Sequence, residues 1–290
     1  MAQTPLEKRI AHGDWSKARD SRNIHGGAGV LGLQQILGRD AIVGLNFMHY
    51  GPLQPKSSIG SHFHNTTEEM FLILDADCEF TVDGHTALLP GPVGVPVPLK
   101  HSHAVYNPTD KPAGWVNFSV RVLPDPPRTT ATGWLSQFFQ DPTATFDLGD
   151  DRVGAKVDKG PTFVSTRKLS KETARPVEAM HGGKGKVGYR RGLGPSTFST
   201  NWAYVDHYVI PPGASIGMHE HQGVEEVYLV IAGEGTAQVG TESAAFKKGD
   251  ALPVKVKQPH GFTNTGTADM EMIVYGVALE KGKLDIEDVK

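Results

Sequence analysis

The sequence has few of the residues and patterns that define several protein classes. Cys78 is the only cysteine among 290 residues, which excludes an intrachain disulfide and a zinc site built on cysteines, and favours a reducing compartment. No apolar run approaches the roughly 18 residues of a membrane span, and the N-terminus shows no apolar signal core. We therefore expect a cytoplasmic protein without a membrane partner.

An excess of charge of one sign is also lacking. The chain has 29 Lys and Arg against 32 Asp and Glu, a formal net charge of −3, and no long basic block, so nothing favours nucleic acid as a partner. Glycine and proline, in contrast, are abundant. The 34 Gly and 20 Pro, with short apolar runs between them, predict a turn-rich β protein, and the length is sufficient for two domains with separate cores.

The stretch from Gly213 to Asn264 carries the clearest chemical pattern. His219 and His221 are two residues apart, so on a strand both imidazoles point to the same side. A polar turn then leads into an apolar strand that returns Glu226 to the same place. We interpret this arrangement as a binding site for a metal ion.

This stretch resembles the cupin family. The first cupin motif is Gly, five residues, His-x-His, three or four residues, Glu, six residues, Gly, and the second motif ends in His, three residues, Asn. The residues that match the first motif are Gly213, His219, His221, Glu226 and Gly233, and those that match the second are His260 and Asn264. The resemblance implies that three histidines and one glutamate meet inside one barrel.

The same pattern occurs a second time, earlier in the chain. Five residues stand 157 positions before their counterparts, namely His62, His64, Glu69, His103 and Asn107. An equal offset over more than forty residues indicates an internal duplication. The string His25-Gly26-Gly27 also returns, as His181-Gly182-Gly183 with an offset of 156, and we interpret both strings as tight turns outside the metal site.

The resemblance is therefore to a bicupin. It implies an all-β fold of two tandem double-stranded β-helix barrels, the jelly-roll of cupins, with a few short helices. We predict an N-terminal arm with a short surface helix (1–21), a first barrel (22–123), a linker or lid (124–176), a second barrel (177–280) and a peripheral charged tail (281–290). Because the open edges of such barrels need cover, we expect a homodimer or a single chain that imitates one.

The predicted metal ligands form two complete sets. They are His62, His64, Glu69 and His103 in the first barrel, and His219, His221, Glu226 and His260 in the second. The first set departs from the family at turn positions only, where Lys56 replaces a glycine. Neighbouring residues of a strand face opposite ways, so only one of Glu68 and Glu69 can point inward, and the family spacing favours Glu69.

Two side chains are candidates for contact with a substrate. Arg121 follows Asn117 and Ser119 along a strand on which polar and apolar residues alternate, and this pattern favours a solvent-facing polar stripe. The alternative is that Arg121 enters the first barrel, makes its lining the more polar one and holds an anionic substrate. Tyr204, like its counterpart Phe47, lines its barrel or belongs to the plain core.

Three neutral imidazoles and a carboxylate suit a divalent transition metal, one or two per chain. We favour Fe(II), with Mn(II), Ni(II), Zn(II) and Cu(II) as alternatives. Because related cupins include dioxygenases, decarboxylases, isomerases and hydrolases, the fold does not fix the reaction. We expect a dioxygenase acting on a small oxygenated organic substrate; the alternatives are an oxygen-independent isomerase, decarboxylase or hydrolase, and a non-catalytic binding or storage cupin, against which the intact ligand sets argue.

Overall fold

The computed structural model describes residues 4–124, 145–285 and 287–288, and its regular structure consists of antiparallel strands with a few short helical turns. One α-helix (α1, Leu6–Arg9) precedes β1 (Ala11–His12), and five three-residue 3-10 turns follow at Trp15–Lys17, Ile24–Gly26, Lys171–Thr173, Met180–Gly182 and Pro195–Thr197. The all-β expectation is thereby confirmed. No helix within the described ranges is long and apolar enough to cross a membrane.

The first barrel is formed by eleven strands in two sheets. Its strands are β2 (Arg19–Arg22), β3 (Val30–Leu37), β4 (Leu45–Leu53), β5 (Ser58–His64), β6 (Thr67–Ile73), β7 (Asp77–Val82), β8 (His85–Pro90), β9 (Val93–Val97), β10 (His103–Tyr106), β11 (Ala113–Arg121) and β12 (Thr145–Asp147). One sheet has the order β2-β3-β4-β11-β6-β9 and the other the order β12-β5-β10-β7-β8. Apolar residues on the facing sides, such as Phe71 and Phe80, form its interior core.

The second barrel repeats this arrangement. Its strands are β13 (Arg175–Glu178), β14 (Lys186–Leu193), β15 (Trp202–Ile210), β16 (Ser215–Glu220), β17 (Val224–Ala232), β18 (Glu234–Val239), β19 (Glu242–Lys247), β20 (Asp250–Val254), β21 (His260–Thr263), β22 (Met270–Ala278) and β23 (Glu287–Asp288). The orders β13-β14-β15-β22-β17-β20 and β23-β16-β21-β18-β19 match those of the first barrel strand for strand. The duplication seen in the sequence is thus a duplication of the fold.

The barrels pack against each other through one sheet each. A hydrophobic cluster joins residues of both barrels, and at its centre Phe118 of β11 stacks on Tyr275 of β22 with 4.5 Å between ring centroids. The opposite face of β11 points into the first barrel, so Asn117 is 5% exposed and Ser119 is fully buried. The interpretation of these residues as a solvent-facing stripe is wrong, because both faces of the strand are covered.

The sequence suggested a surface arm at the N-terminus, but two apolar residues anchor this arm in the second barrel. Leu6 and Ile10 are buried in the core of the second barrel, and β1 pairs with β20 of that barrel. In return, the segment before the second barrel crosses to the first, where the Thr166 N–H donates to the Gly94 carbonyl at 2.8 Å and Leu169 is buried. Each barrel therefore covers an edge of the other within one chain, while the homodimer stays a prediction.

The turn positions keep their shape despite the departures from the cupin motif. Gly213 precedes the first histidine strand of the second barrel with φ +75°, and Lys56 at the matching position has φ +54°. Left-handed φ values favour glycine, but a lysine adopts them at a modest cost. The substitution therefore leaves the approach of β5 to the metal site unchanged.

Candidate metal centres and their cavities

The first candidate metal centre lies inside the first barrel. His62 and His64 come from β5, Glu69 from β6 and His103 from β10, and one ligand atom of each lies within 4.8 Å of the others. The Nε2 atoms of His64 and His103 each lie 3.4 Å from an oxygen of Glu69. Strand parity turns Glu69 inward and Glu68 outward, so the choice made from the family spacing agrees with the geometry.

The second centre has the same construction. His219 belongs to β16, His221 follows that strand directly, Glu226 lies on β17 and His260 opens β21, again with the four ligand atoms within 4.8 Å of one another. His221 Nε2 and His260 Nε2 lie 3.3 and 3.2 Å from Glu226 Oε2. All four residues are at least nine-tenths buried.

The hydrogen bonds of the histidines orient them for a metal. His62 Nδ1 and His103 Nδ1 lie 2.8 and 3.4 Å from the carbonyl oxygens of Gly60 and His101, and His219 and His260 contact the carbonyls of the residues two positions before them in the same way. A carbonyl can only accept, so Nδ1 carries the proton and the Nε2 lone pair points into the centre.

Three of the Nε2 atoms in the two clusters have no hydrogen-bond partner. Among the described residues, the Nε2 atoms of His64, His103 and His221 are buried and accept or donate no hydrogen bond. Buried polar nitrogen atoms without partners are rare in folded proteins because desolvation without a compensating bond is costly. A cation at the centre of each cluster would satisfy them, so the residues present fit a divalent metal.

The electrostatics of both clusters favour a charged carboxylate. Burial would raise the pKa of Glu69, but His64 and His103 hold it well below its usual range, and the same balance lowers the pKa of Glu226. Burial lowers the pKa of His219 to about 3, so this imidazole is neutral at pH 7. A neutral imidazole and an ionised carboxylate are the protonation states that bind transition metals.

The two centres differ in what touches the glutamate. Tyr204 and Tyr228 each donate a hydrogen bond of 2.7 Å to Glu226, one to each carboxylate oxygen. In the first centre Asn117 Nδ2 donates to Glu69 Oε2 at 2.9 Å, and phenylalanines stand at the positions of both tyrosines. The sequence identified Tyr204 as a candidate and the structure places it at the centre, whereas Tyr228 was missed.

A cavity of about 650 Å³ opens onto the second centre. Arg191 lines it and extends over the ring of Tyr204, with its guanidinium carbon 4.5 Å from the ring centroid. Its Nε and Nη2 atoms donate to the two oxygens of Asp206 at 3.0 Å, and Tyr189 donates to the same carboxylate at 3.1 Å. Burial raises the pKa of Asp206 to about 6 although Arg191 opposes this.

The first centre opens into a smaller cavity of about 260 Å³. Its lining is mainly apolar, with Ile24, Leu31, Leu33, Ile59, Phe71 and Trp115 among the residues. Phe47 stacks on His49 with 4.0 Å between ring centroids, and burial lowers the pKa of His49 to about 4. The more polar lining therefore belongs to the second barrel, the reverse of what Arg121 suggested.

Arg121 itself does not contact the first cavity. It stands at the end of β11, where its guanidinium donates to the Leu45 carbonyl, and it is absent from the described lining of the cavity. Ser119 pairs with the ligand Glu69 and Arg121 pairs with Thr67, so Arg121 lies two residues beyond the level of that ligand. The arginine that lines a cavity beside a candidate centre is Arg191, in the second barrel.

The histidines of the two His-Gly-Gly strings lie beside the metal ligands. His25 stacks on His62 with 3.7 Å between ring centroids and contacts Asp147 at 2.6 Å, and His181 stacks on His219 at 4.2 Å. Both have φ +52° and both line their cavities. The equal offset of the two strings in the sequence indicates a shared role for these histidines. A tight turn accounts only for the glycines, so the prediction that both strings lie outside the metal site does not hold for the histidines.

Chain segments outside the two repeats complete both centres. Thr145 of β12 lies 3.0 Å from His64 Nδ1 through its hydroxyl, so part of the linker belongs to the first barrel. The carbonyl of Asp285 accepts from His221 Nδ1, and its carboxylate accepts from the N–H of Gln222 and Gly223. The tail was expected to be peripheral, yet it orients a metal ligand. Residues 125–144 of the predicted linker or lid lie outside the described residues.

Comparison with known proteins supports the assignment of the fold. A family model described as a cupin domain matches residues 206–276 of the chain. An oxalate-binding protein of Thermotoga maritima is 29% identical over 110 residues, which cover 38% of this chain and 91% of that protein.

Solved structures extend the likeness to the whole chain. An oxalate decarboxylase of Lactobacillus farciminis aligns with all of this chain and 90% of its own, with a TM-score of 0.63 and 13% identity. The salicylate 1,2-dioxygenase of Pseudoaminobacter salicylatoxidans (TM-score 0.54, 14% identity) covers 80% of this chain and 71% of its own. Hazelnut vicilin (0.62, 10%) covers 93% and 86%. At these identities the likeness concerns the fold alone.

The duplicated barrels, the two His₃Glu clusters and the matched cupin domain lead to one conclusion. The second barrel contains a cupin domain, and the chain as a whole has a bicupin-like architecture, because the first barrel repeats the strand order and the His₃Glu cluster.

Proposed function

We propose that the chain is a metal-dependent enzyme that acts on a small oxygenated substrate, and that its reaction is a dioxygenation. The observation that carries the proposal is that each complete His₃Glu cluster faces a cavity instead of being closed by protein atoms. A structural metal site is normally closed, whereas a catalytic one keeps positions open for substrate. A divalent metal held there would supply Lewis-acid chemistry and, in the case of Fe(II), redox chemistry.

The residues of the second cavity favour a substrate with a carboxylate. The contact with Asp206 uses Nε and Nη2 of Arg191, and Nη1 is not part of it. The guanidinium is partly exposed to the cavity, with 38% of the side chain accessible. It can therefore bind a carboxylate while Tyr204 links it to the metal ligand Glu226. The name of the Thermotoga relative, an oxalate-binding protein, agrees with this substrate class.

The acidic groups of the second cavity favour dioxygenation over decarboxylation. Decarboxylation leaves a carbanion that needs a proton, which a carboxylic acid would have to deliver. In the described part of the lining, Asp206 is paired with Arg191, Asp285 accepts backbone N–H groups and Glu178 lies 3.6 Å from a lysine. Each of these carboxylates thus has a partner that it would have to release before it could act as that acid.

The second candidate function is oxygen-independent chemistry on a carboxylate, which includes decarboxylation, isomerisation and hydrolysis. The placement of Arg191 beside the second centre favours it, because a clamp for a carboxylate serves such a reaction as well as a dioxygenation. The oxalate decarboxylase with a similar fold is consistent with this candidate.

The test begins with elemental analysis of protein purified without added metal, beside the His62→Ala and His219→Ala variants. We expect each variant to lose one of two bound metal ions, with iron as the metal. Oxygen uptake with small carboxylates should then require the metal and stop on chelation. Turnover that continues without oxygen would support the second candidate, and a chain with no affinity for any metal would support a non-catalytic cupin.

A further inference from the structure

The two cavities differ systematically at matched positions of the duplicated strands. Each position pairs a residue of the first repeat with the residue 156 or 157 places later, and the pairs are Leu33 with Tyr189, Gln35 with Arg191, Phe47 with Tyr204, His49 with Asp206 and Phe71 with Tyr228. All of these residues line their cavities except Gln35, which is exposed, and Tyr228, which contacts Glu226. At all five positions the second repeat carries a hydroxyl or a charge where the first has an apolar or uncharged side chain. The metal ligands themselves are identical, so the difference is confined to what surrounds the metal.

The first cavity has the shape and lining for a flat apolar ring. Phe71 and Trp115 meet edge to face with 5.9 Å between ring centroids, and the stacked pair of Phe47 and His49 lies on the same wall, with His49 6.4 Å from Trp115. Aromatic walls of this kind bind another ring through offset and edge contacts. The volume of about 260 Å³ is below the range of roughly 300–1,000 Å³ that holds drug-sized ligands, which limits the ligand to a single ring.

The same lining disfavours a charged substituent on that ring. In the described part of the cavity no lysine or arginine contributes to the walls, and the polar groups beyond the ligands are those of His25, His49, Asn117 and Thr145 and the indole N–H of Trp115. Asn117 and Thr145 already bond to Glu69 and His64. Apart from the metal, which both centres would share, this cavity offers a carboxylate no cation to replace the hydration that it loses.

We propose that the first centre is a separate binding site for an uncharged, single-ring hydroxyaromatic compound, while the second centre takes a carboxylate. The inference rests on the proposed function only in treating both clusters as metal sites. The ring occupies the apolar walls and its hydroxyl points towards the metal ligands. The duplication has thus produced two sites of different selectivity in one chain.

The test measures selectivity at each centre separately. The His219→Ala variant keeps the first centre and His62→Ala keeps the second, and each is loaded with Zn(II), which has no redox chemistry, so that no turnover occurs. Isothermal titration at pH 7 with phenol and with benzoate compares a ring that carries an uncharged hydroxyl with a ring that carries a carboxylate. We expect the preference for phenol over benzoate to be about tenfold or more greater at the first centre.

Two variants in which residues of one repeat replace those of the other test the selectivity further. Arg191→Gln, which installs the residue of the first repeat, should weaken benzoate binding at the second centre and leave phenol binding and zinc content unchanged. Leu33→Tyr combined with Gln35→Arg should shift the first centre towards benzoate. Equal selectivity of the two centres, or a preference for benzoate at the first, would overturn the inference.

The result is independent of catalysis. If neither variant retains zinc, the proposed function fails. The same titrations on the metal-free variants still measure selectivity, because the walls that set it are not metal ligands. If zinc binds but the selectivities are equal, the proposed function stands and the separate site does not exist.

Discussion

Glu68 offers the sharpest test of how the barrels are joined. It is the neighbour of the ligand Glu69, fully buried, and it points away from the metal into the second barrel. Its carboxylate accepts the backbone N–H of Ser199 at 2.7 Å, the backbone N–H of Thr200 at 2.7 Å and the hydroxyl of Thr200 at 2.6 Å. Three donors of one barrel thus depend on one carboxylate of the other.

We expect Glu68→Ala to lower the free energy of unfolding by about 3–5 kcal/mol. A hydrogen bond to a charged group contributes about 1.5–3 kcal/mol, and a buried donor left without a partner costs about 1–3 kcal/mol. The effects of three donors on one carboxylate overlap, so the total lies near the cost of breaking a buried ion pair. Urea denaturation followed by the fluorescence of Trp202, which packs against Phe118 across the interface, measures the change.

The matched control is Glu225→Ala, the counterpart of Glu68 in the second repeat. Glu225 accepts one described hydrogen bond, from the Val43 N–H at 2.6 Å, and is 8% exposed, so we expect a loss of only about 1–2 kcal/mol. Neither variant should change the metal content, since both side chains point away from the centres. A loss below about 1 kcal/mol for Glu68→Ala would refute the assignment of Glu68 as the main polar link between the barrels.

Three further predictions concern single residues. Asn264→Ala removes two hydrogen bonds to backbone carbonyls, of 2.6 and 2.8 Å, and should cost about 2–3 kcal/mol in urea denaturation without loss of metal. Cys78 is fully buried and burial raises its pKa to about 12, so the native chain should not react with a disulfide reagent at pH 8; rapid reaction would show that the thiol is accessible. Gly217→Ala would place a Cβ atom 1.9 Å from the carbonyl oxygen of His181, so metal analysis should show loss of the second metal with the first retained.

The ligand sets could be predicted from the sequence because their geometry is local. Strand parity places His62 and His64 on one side, and the second copy of the motif at a constant offset excludes coincidence. The choice of Glu69 over Glu68 came from the family spacing, because both repeats carry two adjacent glutamates at this point. The all-β fold and the two barrels follow from the same repeated pattern, since each strand of one repeat has a counterpart in the other.

The surroundings of the centres could not be predicted in the same way. Arg191 reaches the second centre from β14, a strand that carries no metal ligand, and only the barrel closure brings it over Tyr204. Asp285 and Leu6 come from segments outside the repeats, so no periodicity or family spacing describes them. Asn117 and Ser119 alternate with apolar residues, as in a half-exposed strand. Both faces of this strand are buried, because its apolar face packs against the second barrel and its polar face lies inside the first.

Segments of one chain cover an edge of each barrel, and this affects how substitutions can alter the two sites. In a symmetric homodimer of single barrels, every substitution appears in both sites at once, so neither site can change without the other. Here β1 and the segment around Thr166 cover both edges from within one polypeptide, and each site is encoded separately. A change of Phe47 therefore leaves Tyr204 untouched, and one barrel can acquire a new ligand while the other retains its own.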